Sequence, residues 1–193
     1  MPSPVIAPIR SVVALRPSVC DIMASMVQSA ELLLDAGLDA AVRREWAALS
    51  DAELPSQNRH RGESNRPHIT MAVASWMPDA VDDGAAVRFD PFQVRLGGLV
   101  VFGGRTITLA RLVVPSNDLL DLHARMFEAV GERSLDHLQP GRWTPHVTLA
   151  RRLTPEEAGD AVRLLSRNIE DLLGSAVALR RWDGEAKREW RIG

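Results

Sequence analysis

Two heptapeptides in this chain are near copies of one another: Arg66-Pro67-His68-Ile69-Thr70-Met71-Ala72 and Thr144-Pro145-His146-Val147-Thr148-Leu149-Ala150. Each reads Pro, His, a β-branched apolar residue, Thr and an apolar pair. In a β-strand, residues two apart share a face, so each copy sets an imidazole beside a hydroxyl while Ile69 or Val147 points into a core. The proline ahead of each histidine removes a backbone donor, which suits the first residue of a strand or a strand at a sheet edge. Two such strands brought together present two imidazoles and two hydroxyls to each other. Histidine titrates near neutral pH, so such a pair supplies both an acid and a base for chemistry at a phosphate. The hydroxyls of Thr70 and Thr148 are placed to donate to non-bridging oxygens, where charge grows in the transition state. The residues alone do not say which histidine is the base.

The elements around the two copies can be read from pattern. Ser29–Leu34 is a short apolar strand, and a turn at Asp35-Ala36-Gly37 leads to an amphipathic helix over Asp39–Leu49, with Ala41, Val42, Trp46 and Leu49 on one stripe. Ser56–Asn65 is a polar loop before the first His-x-Thr strand, which runs to about Trp76. Pro78–Ala86 leaves little room for a long helix. Phe92–Phe102 and Thr106–Val114 are strands joined at Gly103-Gly104, a hairpin signal. Ser116 caps a helix to about Val130, with Leu119, Leu122, Met126 and Val130 inward and His123 at the boundary. Gly131–Arg142 is a loop before the second His-x-Thr strand. Thr154-Pro155-Glu156-Glu157 opens a further helix, with Thr as N-cap, Pro at the first position and acids in the first turn. Ser175–Trp182, Asp183-Gly184 and Glu185–Arg191 then form a hairpin. Strands and helices alternate without a regular βα repeat, which predicts a mainly antiparallel α+β fold. The spacing of the two copies predicts a pseudo-duplicated, two-lobed domain whose His-x-Thr strands face across a central cleft.

Composition narrows the classes of function. At 193 residues and 46% hydrophobic content, one compact domain is expected. A net charge of −2 gives no global pull on nucleic acid, so phosphate binding has to be local. The basic residues are almost all Arg, as in a GC-rich genome, with Lys187 the one lysine. A single cysteine, Cys20, excludes an internal disulfide and a multi-cysteine metal site and fits a reducing cytoplasm. No apolar stretch approaches the roughly 18 residues of a spanning helix, and the proline-broken first residues read poorly as a signal peptide. Two histidines with hydroxyl companions lack the third ligand that zinc sites need, and there is no phosphate-binding GxxxxGK[ST] loop. His60 and His137 lie in polar loops and are expected in solvent. Residues 1–25 differ in composition from the rest of the chain and read as an appendage, with residues 26–193 as the domain.

The two motifs, their prolines and the element order resemble the 2H phosphoesterase superfamily, whose name records two His-x-Thr/Ser motifs. Within it they are most similar to the bacterial RNA 2′,3′-cyclic phosphodiesterases, also called 2′-5′ RNA ligases. The resemblance covers Ser29 onward, and the second copy continues to Arg151, where that family commonly carries an arginine. It implies catalytic roles for His68 and His146, and substrate contacts from Thr70, Thr148 and Arg151. It implies no cofactor and no metal, with RNA ends or cyclic nucleotides as substrate, no membrane association, and a monomer. Strict alternation puts Arg151 on the face opposite His146, so its role requires the strand to bulge or end near Ala150. Two features depart from the family: the helix after the first motif strand is short or missing, and Ser29–Leu34 lacks the aromatic residue that relatives use near a base. Nucleobase contacts then fall to Trp76, Trp143 or Trp182, or are weak. Two other functions fit the same residues: a non-catalytic RNA- or nucleotide-binding module, and a phosphodiesterase for a small non-RNA cyclic phosphate.

Overall fold

The computed structural model describes residues 27–193 except 61, 63, 132 and 133. The division at residue 25 and the N-terminal appendage therefore lie outside the described residues.

Among the described residues, seven strands and three α-helices succeed one another as β1 (Gln28–Leu34), α1 (Ala36–Asp51), β2 (His68–Ala74), β3 (Phe92–Phe102), β4 (Ile107–Val113), α2 (Asn117–Val130), β5 (His146–Leu153), α3 (Pro155–Leu165), β6 (Leu172–Asp183) and β7 (Arg188–Ile192). Every strand pair is antiparallel. The strands form one sheet in the order β2-β1-β6-β3-β4-β5, with β7 also on β6. The first part of β6, Leu172–Ala176, pairs with β3, and the remainder pairs with β1 and β7. One half is thus β2-β1-β6-β7 and the other β5-β4-β3-β6, with β6 common to both. The motif strands β2 and β5 end the path, yet they touch each other, so the sheet curls until its two ends meet.

Local chemistry explains the boundaries. α1 starts three residues earlier than its hydrophobic stripe predicts, because Asp35 is not in a turn. Asp35 caps the helix, its Oδ1 accepting from the Leu38 amide at 2.8 Å. Its backbone amide also donates to the Ser175 carbonyl (2.8 Å), and its other carboxylate oxygen accepts from the Ser175 amide, which fastens the start of α1 to β6. Gly174 makes that approach possible, since a Cβ there would lie 2.6 Å from the Leu38 Cβ. β6 itself begins three residues before its predicted start, at Leu172. α2 and α3 match expectation, with Ser116 and Thr154 as N-caps and a reciprocal capping box between Thr154 and Glu157. Pro78–Ala86 holds only two short 3₁₀ turns, at Asp79–Val81 and Ala85–Val87. No described helix is long and apolar enough to cross a membrane.

The core lies between the helices and the sheet, with Leu32, Ile69, Met71, Leu109, Leu122, Met126 and Leu149 fully buried. α1 reaches both halves. Its Glu45 pairs with the buried Arg111 of β4, whose guanidinium also donates to the Gly97 (2.8 Å) and Glu170 (3.1 Å) carbonyls.

Candidate active site

Both motifs are built to the same local plan. The His68 Nδ1 lies 2.8 Å from the Arg66 carbonyl, and the His146 Nδ1 lies 2.8 Å from the Thr144 carbonyl. A carbonyl oxygen only accepts, so each Nδ1 carries its proton and Nε2 is the nitrogen left for chemistry. The intervening prolines gain a second purpose: a residue before proline is held extended, which presents its carbonyl to the imidazole two residues on.

Each motif threonine is followed by a bulge. On β2, Thr70 pairs with Glu31 and Ala72 with Ala30, leaving Met71 without a partner. On β5, Thr148 pairs with Ala110 and Ala150 with Leu109, leaving Leu149 without one. A bulge inserts one residue and resets which face comes next. This is the irregularity that Arg151 required, and past Leu149 it turns Arg151 to the side of Thr148. The register shifts again before Leu153, where Arg152 takes a positive φ of 62°.

Because β2 and β5 end the sheet path, their outer backbone groups have no strand partner among the described residues. The carbonyl of each motif threonine is taken instead by an indole from the opposite half. The Trp46 Nε1 of α1 donates to the Thr148 carbonyl (3.0 Å), and the Trp143 Nε1, just before β5, donates to the Thr70 carbonyl (3.1 Å). Trp143 also stacks on His123 at 3.8 Å and 6°. His123 is therefore no boundary residue: it is 2% exposed, and its burial holds its proton affinity below that of an ordinary histidine.

His68, Thr70, Thr148 and Arg151 line one cleft of about 570 Å³. His146 is not among the residues lining it. It stands half-buried beside that space, two residues before Thr148, with its ring 4.6 Å from that of Phe102. Burial is the largest influence and lowers its proton affinity; the Thr144 carbonyl opposes burial less strongly, and the charges of Arg151, His68 and His137 lower the affinity further. Of the three tryptophans proposed for base contact, Trp182 lines the cleft, Trp143 is committed to the interior, and Trp76 is half-exposed and not part of the lining. His60 lines the cleft as well, whereas His137 does not.

The lining also includes Glu31, Arg180 and Ser29, which were not among the sequence candidates. Arg180 and Arg181 are adjacent on β6, both under 5% exposed, and alternation sends them to opposite faces. Arg181 binds Asp82 (2.7 Å), Gln28 (2.6 Å) and the Met77 carbonyl (2.9 Å), away from the cleft. Arg180 turns inward to Glu31, Glu189 and the Ser64 carbonyl. The one advance signal was a charge inside an otherwise apolar strand. Among the described residues, no three His, Cys, Asp or Glu side chains gather as a metal would require.

Known proteins share this frame. The family model of the 2′-5′ RNA ligase superfamily matches residues 38–186. OB1230 of Oceanobacillus iheyensis, named as a candidate phosphoesterase, is 26% identical over 130 residues, which are 62% of this chain and 74% of that protein. Usb1 of Kluyveromyces marxianus superposes with a TM-score of 0.54 at 12% identity, covering 88% of this chain and 98% of Usb1. A second Usb1 structure, with uridine monophosphate, gives 0.51 at 11% identity, covering 88% of this chain and 98% of that one. LigT of E. coli gives 0.53 at 13% identity, covering 87% of this chain and 95% of LigT. Those two proteins share the antiparallel α+β fold, and with a family match that spans most of its length, this chain belongs to the 2′-5′ RNA ligase superfamily, the 2H phosphoesterases.

Proposed function

We propose that this protein opens 2′,3′-cyclic phosphates, on RNA ends or on nucleotides, by acid–base catalysis between His68 and His146 without a metal. Membership of the superfamily carries a phosphoesterase-type activity. The observation that carries the finer reading is the duplicated geometry: two imidazoles, each with Nδ1 tied to a carbonyl and Nε2 free, beside two threonines and Arg151. The structure of Usb1 with uridine monophosphate gives one case of a nucleotide on this fold, and supports a nucleotide-sized substrate here.

In this reading the base removes a proton from water as its oxygen bonds to phosphorus. One P–O bond to ribose breaks, and the departing ribose oxygen takes a proton from the acid. Burial and the nearby Arg151 favour a neutral His146, which suits it to be the base, and leave His68 as the acid. Thr70 and Thr148 donate to the non-bridging oxygens, and Arg151 adds a charge-assisted fork. A 5′-hydroxyl in place of water gives a 2′-5′ bond by the same steps, which is how ligation enters as a companion reaction. The same reading has the protein act in the cytoplasm as a monomer.

The test is turnover of a panel: nucleoside 2′,3′-cyclic monophosphates, an RNA ending in 2′,3′-cyclic phosphate, and small non-RNA cyclic phosphates. His68→Ala and His146→Ala are each expected to lose roughly 10²–10⁴-fold while keeping the fold. Activity is expected to survive prolonged EDTA treatment. Near wild-type turnover by either variant, or restoration by Zn²⁺ after chelation, would overturn the two-histidine reading. Turnover confined to non-RNA compounds would move the substrate class, and binding with no turnover at all would make the protein a binding module.

A further inference from the structure

The two halves share a plan but differ at two matching positions. Opposite the motif threonine stands Glu31 in one half and Ala110 in the other. Five residues past the motif histidine stands Val73 in the first half and Arg151 in the second. Each half therefore brings a single charged group to its own histidine from these positions, and the two have opposite signs.

Glu31 is only 5% exposed, and a carboxylate so placed needs partners to remain ionised. It has them. Ser29 donates to its Oε1 at 2.7 Å, and the Arg180 Nε and Nη2 approach its Oε2 at 2.7 and 2.6 Å. Burial alone would raise its proton affinity, but His68, Arg180 and Ser29 together bring it below that of an ordinary glutamate. Arg180 is held in turn by Glu189 and the Ser64 carbonyl (2.8 Å). The same Oε2 lies 3.6 Å from the His68 Nδ1, on the side of the ring that donates to Arg66.

The geometry points to Glu31 as a positioning residue for His68: clamped by Arg180 and Ser29, it fixes the orientation of the imidazole and sets a negative charge beside it. Other charged and titratable groups around His68 are Arg66 at its own lead-in, Arg180 on β6, Arg151 and His146 on β5, and His60 and Lys187 on the cleft wall. Most of these are cations. Glu189 of β7 is engaged by Arg180 and lies 3.7 Å from Arg66. Among the described residues, Glu31 is the carboxylate within ion-pair distance of the ring. Two motifs of one design are thereby made unequal, one beside an anion and one beside a cation. Glu31 touches no reacting atom and acts through His68. This inference rests on the two-histidine reading above.

The test is an NMR titration of the histidine Cε1–H signals in wild-type protein and Glu31→Gln, without substrate, alongside the pH profile of kcat/KM. The His68 midpoint is expected to fall by about one pH unit or more in Glu31→Gln, as for a group losing an opposite charge at this range. The His146 midpoint should hold or rise. The high-pH limb of the activity profile should move down with His68, and Glu31→Asp, which keeps the charge, should restore part of both shifts. Should Glu31→Gln fail to fold with Arg180 left short of a partner, Glu31→Asp, whose shorter side chain draws the charge back from the ring, gives the same readout, with a smaller fall of the His68 midpoint expected. A His68 midpoint that does not move in the folded variant would overturn the assignment. Wild-type protein without turnover would instead defeat the proposed function, so the two failures are told apart.

Discussion

Replacing Trp143 by Phe removes one hydrogen bond and retains a ring against His123. The lost bond is the 3.1 Å contact from the indole Nε1 to the Thr70 carbonyl, which ties a residue ahead of β5 to the edge of β2. A bond of this type contributes about 1 kcal/mol net, and trimming a half-buried indole to a phenyl ring costs about another 1 kcal/mol in packing. A destabilisation of about 1–2 kcal/mol corresponds to about 2–8 °C in Tm for a chain of this size. The catalytic loss is expected to be larger than that suggests. Thr70 is placed partly by this bond, and a displacement of about 1 Å at a positioned group can cost about 10²-fold. A tenfold or greater fall in kcat with KM little changed is therefore expected, measured with a 2′,3′-cyclic nucleotide alongside thermal melts. Trp46→Phe should behave alike through Thr148, with a larger stability loss because Trp46 is 2% exposed. If Trp143→Phe melted later or at the wild-type temperature, the bond would not hold the halves together. If it melted earlier but kept wild-type kcat, the indoles would be structural and uncoupled from the site.

Arg151→Ala should lower kcat/KM about 10–100-fold, the worth of a charge-assisted contact of about 1.5–3 kcal/mol, with Arg151→Lys intermediate; a wild-type value would separate this arginine from the phosphate. Proton binding to His146 is weakened by burial and by Arg151, so the low-pH limb of kcat/KM should lie below the usual histidine value of 6.5 and shift upward in Arg151→Ala; a limb at or above 6.5 in wild type would contradict the base assignment. His123 and His146 both bind protons more weakly folded than unfolded, so their contribution to stability is complete above 6.5 and is lost as pH falls below it toward their folded values. A Tm that does not fall between pH 7 and pH 5 would refute this. A chain starting at Met26 should melt near the full-length midpoint and hydrolyse substrate equally well, and a large loss of either would make residues 1–25 integral.

What the sequence revealed depended on periodicity and caps. His68, Thr70, His146 and Thr148 were readable because a period of two places them on one face, and α3 because Thr154, Pro155 and Glu157 spell its start. The bulges were not readable, since Met71 and Leu149 look like any other apolar strand residues and an extra residue leaves no mark in composition. The face that Arg151 takes is consequently set by the register of β5 and not by its place in the sequence. Glu31 and Arg180 were missed for a different reason. They lie 149 residues apart, and each alone looks like the solvent side of a strand. Only the paired strands show that the two charges neutralise one another inside the cleft floor. His123 reads as a boundary residue from its own helix, because the Trp143 ring that stacks on it lies beyond that helix.

The strand common to both halves, β6, is also the last of the six along the sheet path to emerge as the chain is synthesised. Until it is made, β2-β1 and β3-β4-β5 are two unfinished ribbons, each with an open edge where β6 will fit. Neither ribbon closes on its own, and β1 waits for a partner more than a hundred residues downstream. Pairings of such long sequence separation are slow to form and leave strand edges open to other chains meanwhile. Bringing the two His-x-Thr strands together is therefore a late event, coincident with completion of the sheet. The nascent chain carries both motifs without the strand that joins their halves until Leu172–Asp183 has been made.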